Sequence, residues 1–104
     1  MEKRYIHNYD DIILYSLKEK MRTDPNCPTL TFKEIRKACT EMQKKLLMKY
    51  TPDKKEFYAA IYNYLERLEM ETKITIYTAD GKIDFIGLTK WGKEYLEKTE
   101  ITFS

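Results

Sequence analysis

The sequence predicts an α+β domain: three helices, a two-stranded β-hairpin and a closing helix. Three observations carry this. Asp80-Gly81 lies between two alternating apolar runs, and such a pair signals a type I′ turn, which needs φ > 0 at both central positions. Three segments before it repeat apolar residues at helical spacing. After it, Thr89 opens a short helical pattern that presents Trp91, Tyr95 and Leu96. A chain of 104 residues makes one domain, 1–104, with an ordered core expected at about 8–98.

Residues 1–7 read as a frayed lead-in. Asn8 is a suitable N-cap, and Asp10 and Asp11 suit the positive end of a helix dipole. The first helix runs to about Arg22, with Tyr9, Ile13, Leu17 and Met21 on one stripe and Ile12 and Leu14 widening it. Two prolines and an asparagine make 23–28 a loop. Thr29-Leu30 is a very short strand. Thr31-Phe-Lys-Glu34 matches a capping box, in which Thr31 caps and Glu34 reaches back. The second helix follows with Phe32, Ile35, Cys39, Met42 and Leu46, and could continue to Lys49. Thr51-Pro52 supplies a cap and a first-turn proline for the third helix, 52–71. Phe57, Ala60, Ile61, Tyr64 and Leu68 face its core, Leu65 its flank.

The Asp80-Gly81 turn sets Ala79 opposite Lys82, Tyr77 opposite Asp84 and Ile76 opposite Phe85. One face of the hairpin then holds Ile74, Ile76, Ile83 and Phe85; the other holds Thr75, Tyr77, Lys82 and Asp84, with Ile86 as the exception. The expected core comprises Ile13, Leu17, Ile35, Cys39, Ile61, Leu68, Ile76 and Phe85. The tail 99–104 is loose or a stray strand.

Helix, short strand, helix, helix, strand, strand, helix is the order of a winged helix-turn-helix. The ending Leu88-Thr89-x-x-Gly92-x-x-x-Leu96 resembles the Leu-Thr-x-x-Gly close of the wing in MarR- and PadR-type regulators. The resemblance spans about residues 10–98, and only its last nine residues form a motif. It implies a DNA-binding regulator, often dimeric, with the third helix in the major groove and the hairpin as wing. Two departures stand out. The second helix is long for this class. No glycine separates the third helix from the hairpin, so Glu69-Met70-Glu71-Thr72 must make that junction by other means.

Net charge is only +2, too small to announce a nucleic-acid partner, so its distribution decides. Lys44, Lys45, Lys49, Lys54 and Lys55 stand against Asp53 alone, at the turn between the second and third helices. A phosphate backbone passes there in this architecture. On the exposed half of the third helix, Lys55 can contact phosphate, Asn63 can pair with adenine, and Tyr58 and Tyr62 can hydrogen-bond phosphate or stack. Glu66 shares that face and opposes phosphate. Lys82 sits at the wing tip and Lys73 nearer its base. The candidate DNA-binding residues are thus Lys44, Lys45, Lys49, Lys54, Lys55, Tyr58, Tyr62, Asn63 and Lys82.

The expected function is a sequence-specific regulator of transcription on double-stranded DNA. The alternative is a winged-helix module for protein–protein contact, an adaptor or inhibitor, with Tyr58 and Tyr62 as anchors. Enzymatic work is disfavoured. His7 is the single histidine and lies near the N-terminus, the three glycines form no phosphate loop, and Asp10 and Asp11 diverge on a helix. Cys27 and Cys39 read as free thiols, and neither a metal nor a cofactor is expected. No apolar run reaches transmembrane length and no signal-peptide core is present, so the expected place is the cytoplasm, on the nucleoid. Size and charge density would fit a small phage or archaeal-virus regulator. A homodimer is expected through the first and last helices, with Trp91 packed on the first helix or across the seam.

Overall fold

The computed structural model describes residues 2–5, 9–26, 28–45 and 54–102. His7, Asn8, Cys27, Leu46, Lys49 and the Thr51-Pro52 cap lie outside the described residues, as do the side chains of Lys45 and Lys54. The elements run β1 (Glu2–Tyr5), α1 (Tyr9–Thr23), β2 (Thr29–Thr31), α2 (Phe32–Lys45), α3 (Lys54–Met70), β3 (Ile74–Ala79), β4 (Lys82–Leu88), α4 (Lys90–Lys98) and β5 (Thr99–Thr102). The result is an α+β fold of four helices, a three-stranded antiparallel sheet in the order β2-β4-β3, and a separate parallel pair, β1-β5.

Two expectations change here. The sheet beneath the helices has three strands, because β2 pairs with the far side of β4 through Thr29↔Gly87, Leu30↔Ile86 and Thr31↔Phe85. The lead-in is not frayed over residues 2–5. They pair with 99–102, Glu2 opposite Thr99 and Tyr5 opposite Thr102. Ordered structure therefore extends past 8–98 at both ends. Nothing in Glu-Lys-Arg-Tyr alternates, and its partner lies at the other end of the chain, so no local signal marks this strand.

Helix α1 is the hub of the core. Ile12, Ile13, Leu14 and Leu17 are almost fully enclosed, and Tyr9 meets Phe57 and Tyr64 of α3 edge-on, at 5.9 and 5.5 Å between ring centroids. The two first-turn acids differ from each other. Both lie in the first turn, as dipole partners should, but Asp11 is buried. Asp10 reaches across to Arg67 of α3, with Oδ2 accepting from Nη1 at 3.3 Å. Helix α2 begins at the expected capping box: the Thr31 N–H donates to Glu34 Oε1 (3.0 Å) and the Glu34 N–H donates to Thr31 Oγ1 (3.1 Å). Ile35, Cys39 and Met42 of α2 and Phe57, Ile61, Leu65 and Leu68 of α3 complete the helical core. Leu65 is central to it, not at its flank. Burial pushes the Cys39 thiol up to about 12, which leaves it an unreactive small hydrophobe.

The junction without a glycine is made by Thr72. Its φ of 62° is left-handed. The Thr72 N–H donates to Glu69 O (2.9 Å) and the Lys73 N–H to Leu68 O (3.0 Å). These are the two bonds of a Schellman close, at a position that usually holds glycine. Thr89 then ties the junction down. Its hydroxyl donates to Thr72 O and accepts from the Gly92 N–H at 3.0 Å, and its own N–H donates to Lys73 O at 3.1 Å. A Cβ on Gly92 would lie 2.0 Å from Lys73 O, so only glycine lets α4 approach. The Leu88-Thr89-x-x-Gly92 segment is therefore a clamp: threonine caps α4 and holds the α3–β3 turn, while glycine admits the Lys73 backbone.

Asp80 and Gly81 have φ of 54° and 75°, as the hairpin turn demands, and Ala79 pairs with Lys82. Beyond that pair the register departs from expectation. Thr78 faces Ile83, Tyr77 faces Phe85 and Ile76 faces Ile86, with an irregularity at Tyr77/Thr78. Asp84 is thus the extra residue of a β-bulge. The bulge reverses the parity of everything after it. Ile86, the apparent exception, enters the core with no exposed surface, beside Ile74. Phe85, expected inside, turns outward and stacks on Tyr77 with centroids 4.6 Å apart. Ile76 is half-buried against the core.

Candidate nucleic-acid interface

Helix α3 buries Phe57, Ile61, Leu65 and Leu68 on one stripe, and this fixes what its other side presents. Lys55, Ala59, Tyr62, Asn63 and Glu66 are exposed there. The two tyrosines are not equivalent. Tyr62 is 40 % exposed and meets Phe32 of α2 edge-on at 5.9 Å. Tyr58 is half-buried, tilted against Phe57 at 6.2 Å and lying under the Arg36 guanidinium at 4.4 Å. Tyr58 joins α2 to α3, whereas Tyr62 and Asn63 reach outward. Asn63 follows Tyr62 by one residue, so the two diverge by roughly 100° around the axis.

Lys44 is exposed near the end of α2, and Lys82 is exposed next to the hairpin turn. Helix α3 thus brings Lys55, Tyr58, Tyr62 and Asn63 together, while Lys44 and Lys82 belong to other elements.

Sequence reasoning missed the basic stripe of α2. Lys33, Arg36, Lys37 and Lys44 recur at i, i+3, i+4 and i+11, with Thr40 between. That spacing puts them on one side of a helix, so the periodicity that located the core could also have located this stripe. Arg36 is half-buried, with its guanidinium 5.2 Å from the centroid of Phe32 as well as over Tyr58. A groove of about 350 Å3 opens beside it, lined by Lys33, Arg36, Lys37, Thr40, Phe57 and Tyr58.

Two acids near this side are engaged within the chain, while Glu41 on α2 is exposed. Glu69 Oε2 accepts from the Ile76 N–H at 3.0 Å and so covers a donor of the edge strand β3. Glu71 pairs with Lys73 at 3.3 Å, and Lys73 also lies 4.1 Å over the Tyr95 ring, which holds it at the base of the hairpin. Glu66 is exposed on the α3 face. Among the described residues, no three His, Cys, Asp or Glu side chains stand together as metal ligands, and no helix is long and apolar enough to cross a membrane.

Helix α1 places Ile12, Ile13, Leu14 and Leu17 in this chain's own core, while Met21 of the expected seam is half-buried. Trp91 is not packed on α1; it is 60 % exposed. Met70 of α3, at 85 %, is also strongly exposed. No protein-family model matches the chain, and no curated protein matches it.

Proposed function

We propose that this chain is a winged helix-turn-helix domain that regulates transcription by binding double-stranded DNA. Helix α3 enters the major groove and the β3–β4 hairpin rests on the flanking groove. One observation carries the reading: the outward face of α3, with Lys55, Tyr62 and Asn63, adjoins a stripe of cations on α2. A positively charged flank beside a helix with hydrogen-bonding side chains suits phosphate contact at the edge and base contact at the centre. The order of elements, with a clamped hairpin after α3, supports the same architecture. Lys33 and Lys37 join Lys44, Lys55 and Lys82 as backbone contacts, and Tyr58 acts as a brace for Arg36. Lys45, Lys49 and Lys54 belong to the same basic turn by sequence.

The reading includes a homodimer, since one small domain touches few base pairs and a pair on a palindrome gains affinity. The exposed Trp91 of α4 supports it.

An anisotropy titration of labelled random-sequence duplex, at two salt concentrations, tests the function. Binding that weakens steeply as salt rises is expected. The absence of any binding at low salt would refute it. The alternative, a protein-contact module, is favoured by a separate feature: the stacked Tyr77–Phe85 pair on the outer face of the sheet, with Tyr77 47 % exposed. Exposed aromatic pairs of this kind are common at protein interfaces.

A further inference from the structure

The groove between α2 and α3 has features that the base-reading face of α3 does not explain. Three cations, Lys33, Arg36 and Lys37, line it, and none of its described lining residues is a carboxylate. The Arg36 guanidinium is held by Phe32 at 5.2 Å and Tyr58 at 4.4 Å. Those rings attract its charge, but they offer no in-plane acceptor for its N–H groups. Its Nε is buried and has no hydrogen-bond partner among the described residues. A buried donor of this kind is normally satisfied. The Thr40 hydroxyl donates to Arg36 O at 2.9 Å, within the helix, and takes no hydrogen bond from the Arg36 Nε–H.

We propose that this groove is an anion site that takes a phosphate group. Arg36 is its central donor, and Lys33 and Lys37 bracket the charge from the rim. The planar guanidinium fork matches the spacing of two phosphate oxygens, and the two rings fix its plane before a ligand arrives. Three positive charges exceed what a lone carboxylate would neutralise and suit a phosphate monoester or a pair of backbone diesters. The site stands on the groove itself and does not rest on α3 reading bases. The phosphate can belong to a nucleic-acid backbone or to a free phosphorylated compound.

The Arg36 Nε–H resonance of the 15N-labelled full chain, assigned by its disappearance in Arg36→Lys, reads the site directly. Inorganic phosphate should move it saturably, while chloride at matched ionic strength should not. The Lys33→Gln/Lys37→Gln double variant changes only exposed side chains, so it keeps the fold, and it should bind phosphate about tenfold or more weakly. A short DNA duplex is the second arm. Movement with both phosphate and duplex assigns the site to the nucleic-acid backbone. Movement with phosphate alone leaves the site standing for a free phosphate ester, whatever becomes of the DNA reading. An Nε–H resonance that phosphate does not move overturns the proposal, whatever the duplex does, and so does a double variant that binds phosphate like the parent.

Discussion

Thr72 is the residue at which this chain most clearly works against its own chemistry. A β-branched side chain in the left-handed region carries a cost of roughly 1–2 kcal/mol, which glycine avoids. Thr72→Gly should therefore raise stability by about 1 kcal/mol in urea unfolding; a loss of stability would mean that the threonine contributes more than its hydroxyl contact to Glu71 O suggests. Gly92 is the opposite case. Gly92→Ala places a methyl group on Lys73 O, so α4 must move away, and a loss of at least about 2–3 kcal/mol is expected. Wild-type stability for that variant would contradict the clamp. Asp10 adds a pH dependence. Burial holds its carboxyl above the usual pKa, with Arg67 opposing, and Asp10 Oδ1 is buried without a partner among the described residues. A carboxyl raised in the folded state supports folding while protonated and weakens it as pH rises through the folded pKa. Asp10→Asn should thus be more stable than the parent near neutral pH, with the difference closing as pH falls into the acid range. A parent more stable than the variant at neutral pH would show that the Arg67 pair outweighs burial.

Among the elements, the hairpin shows both what local chemistry decides and where it stops. Asp80-Gly81 specifies the turn because few other residue pairs accept its two positive φ values. The bulge at Asp84 has no such signature, since any residue can be the extra one. The clue was Ile86, an apolar residue on the wrong side of a strict alternation. A one-residue offset between Tyr77 and Ile86 resolves it and places Ile86, not Phe85, in the core. Ile86→Ala should accordingly cost about 3–4 kcal/mol, and Phe85→Ala clearly less, by thermal or chemical unfolding; the reverse order would restore the unbulged register. The capping box at Thr31 was legible for the same reason as the turn, because its two hydrogen bonds form within four residues. Strand β1 was not, because its partner lies at the other end of the chain; for 99–102 the sequence allowed a stray strand, but not the pairing that joins the two ends.

Across the whole molecule, the helical core was legible because hydrophobic spacing and burial share one period. The candidate interface was legible only in part. The outward side of α3 could be read as whatever its core stripe leaves over, and Lys55, Tyr62 and Asn63 are exposed there. Tyr58 looked equivalent to Tyr62 because both lie off the core stripe, but α2 crosses at Tyr58, and a crossing is a tertiary fact. The stripe of α2 adjoins the denser lysine run at the turn, and its helical period is present in Lys33, Arg36, Lys37 and Lys44. The dimer changes in the same way. Ile12, Ile13, Leu14 and Leu17 of the first helix belong to a single core, and Trp91 of α4 is exposed, so sedimentation of Trp91→Ala should show whether α4 sustains self-association. If the parent dimerises, the variant should shift toward monomer, and an unchanged dimer would place the seam elsewhere.

On the proposed reading, cations on α2, α3 and the hairpin hold duplex DNA through its phosphates. Its most direct test is the slope of log Kd against log salt for duplex binding, in the parent and in a Lys37→Gln/Lys44→Gln/Lys55→Gln/Lys82→Gln variant. All four side chains are exposed, so the fold is retained. Each lost phosphate contact should lower the slope by about 0.9 units, so the variant should lose roughly 3–4 units and bind every duplex more weakly. A variant with the parent's affinity and slope would contradict the claim.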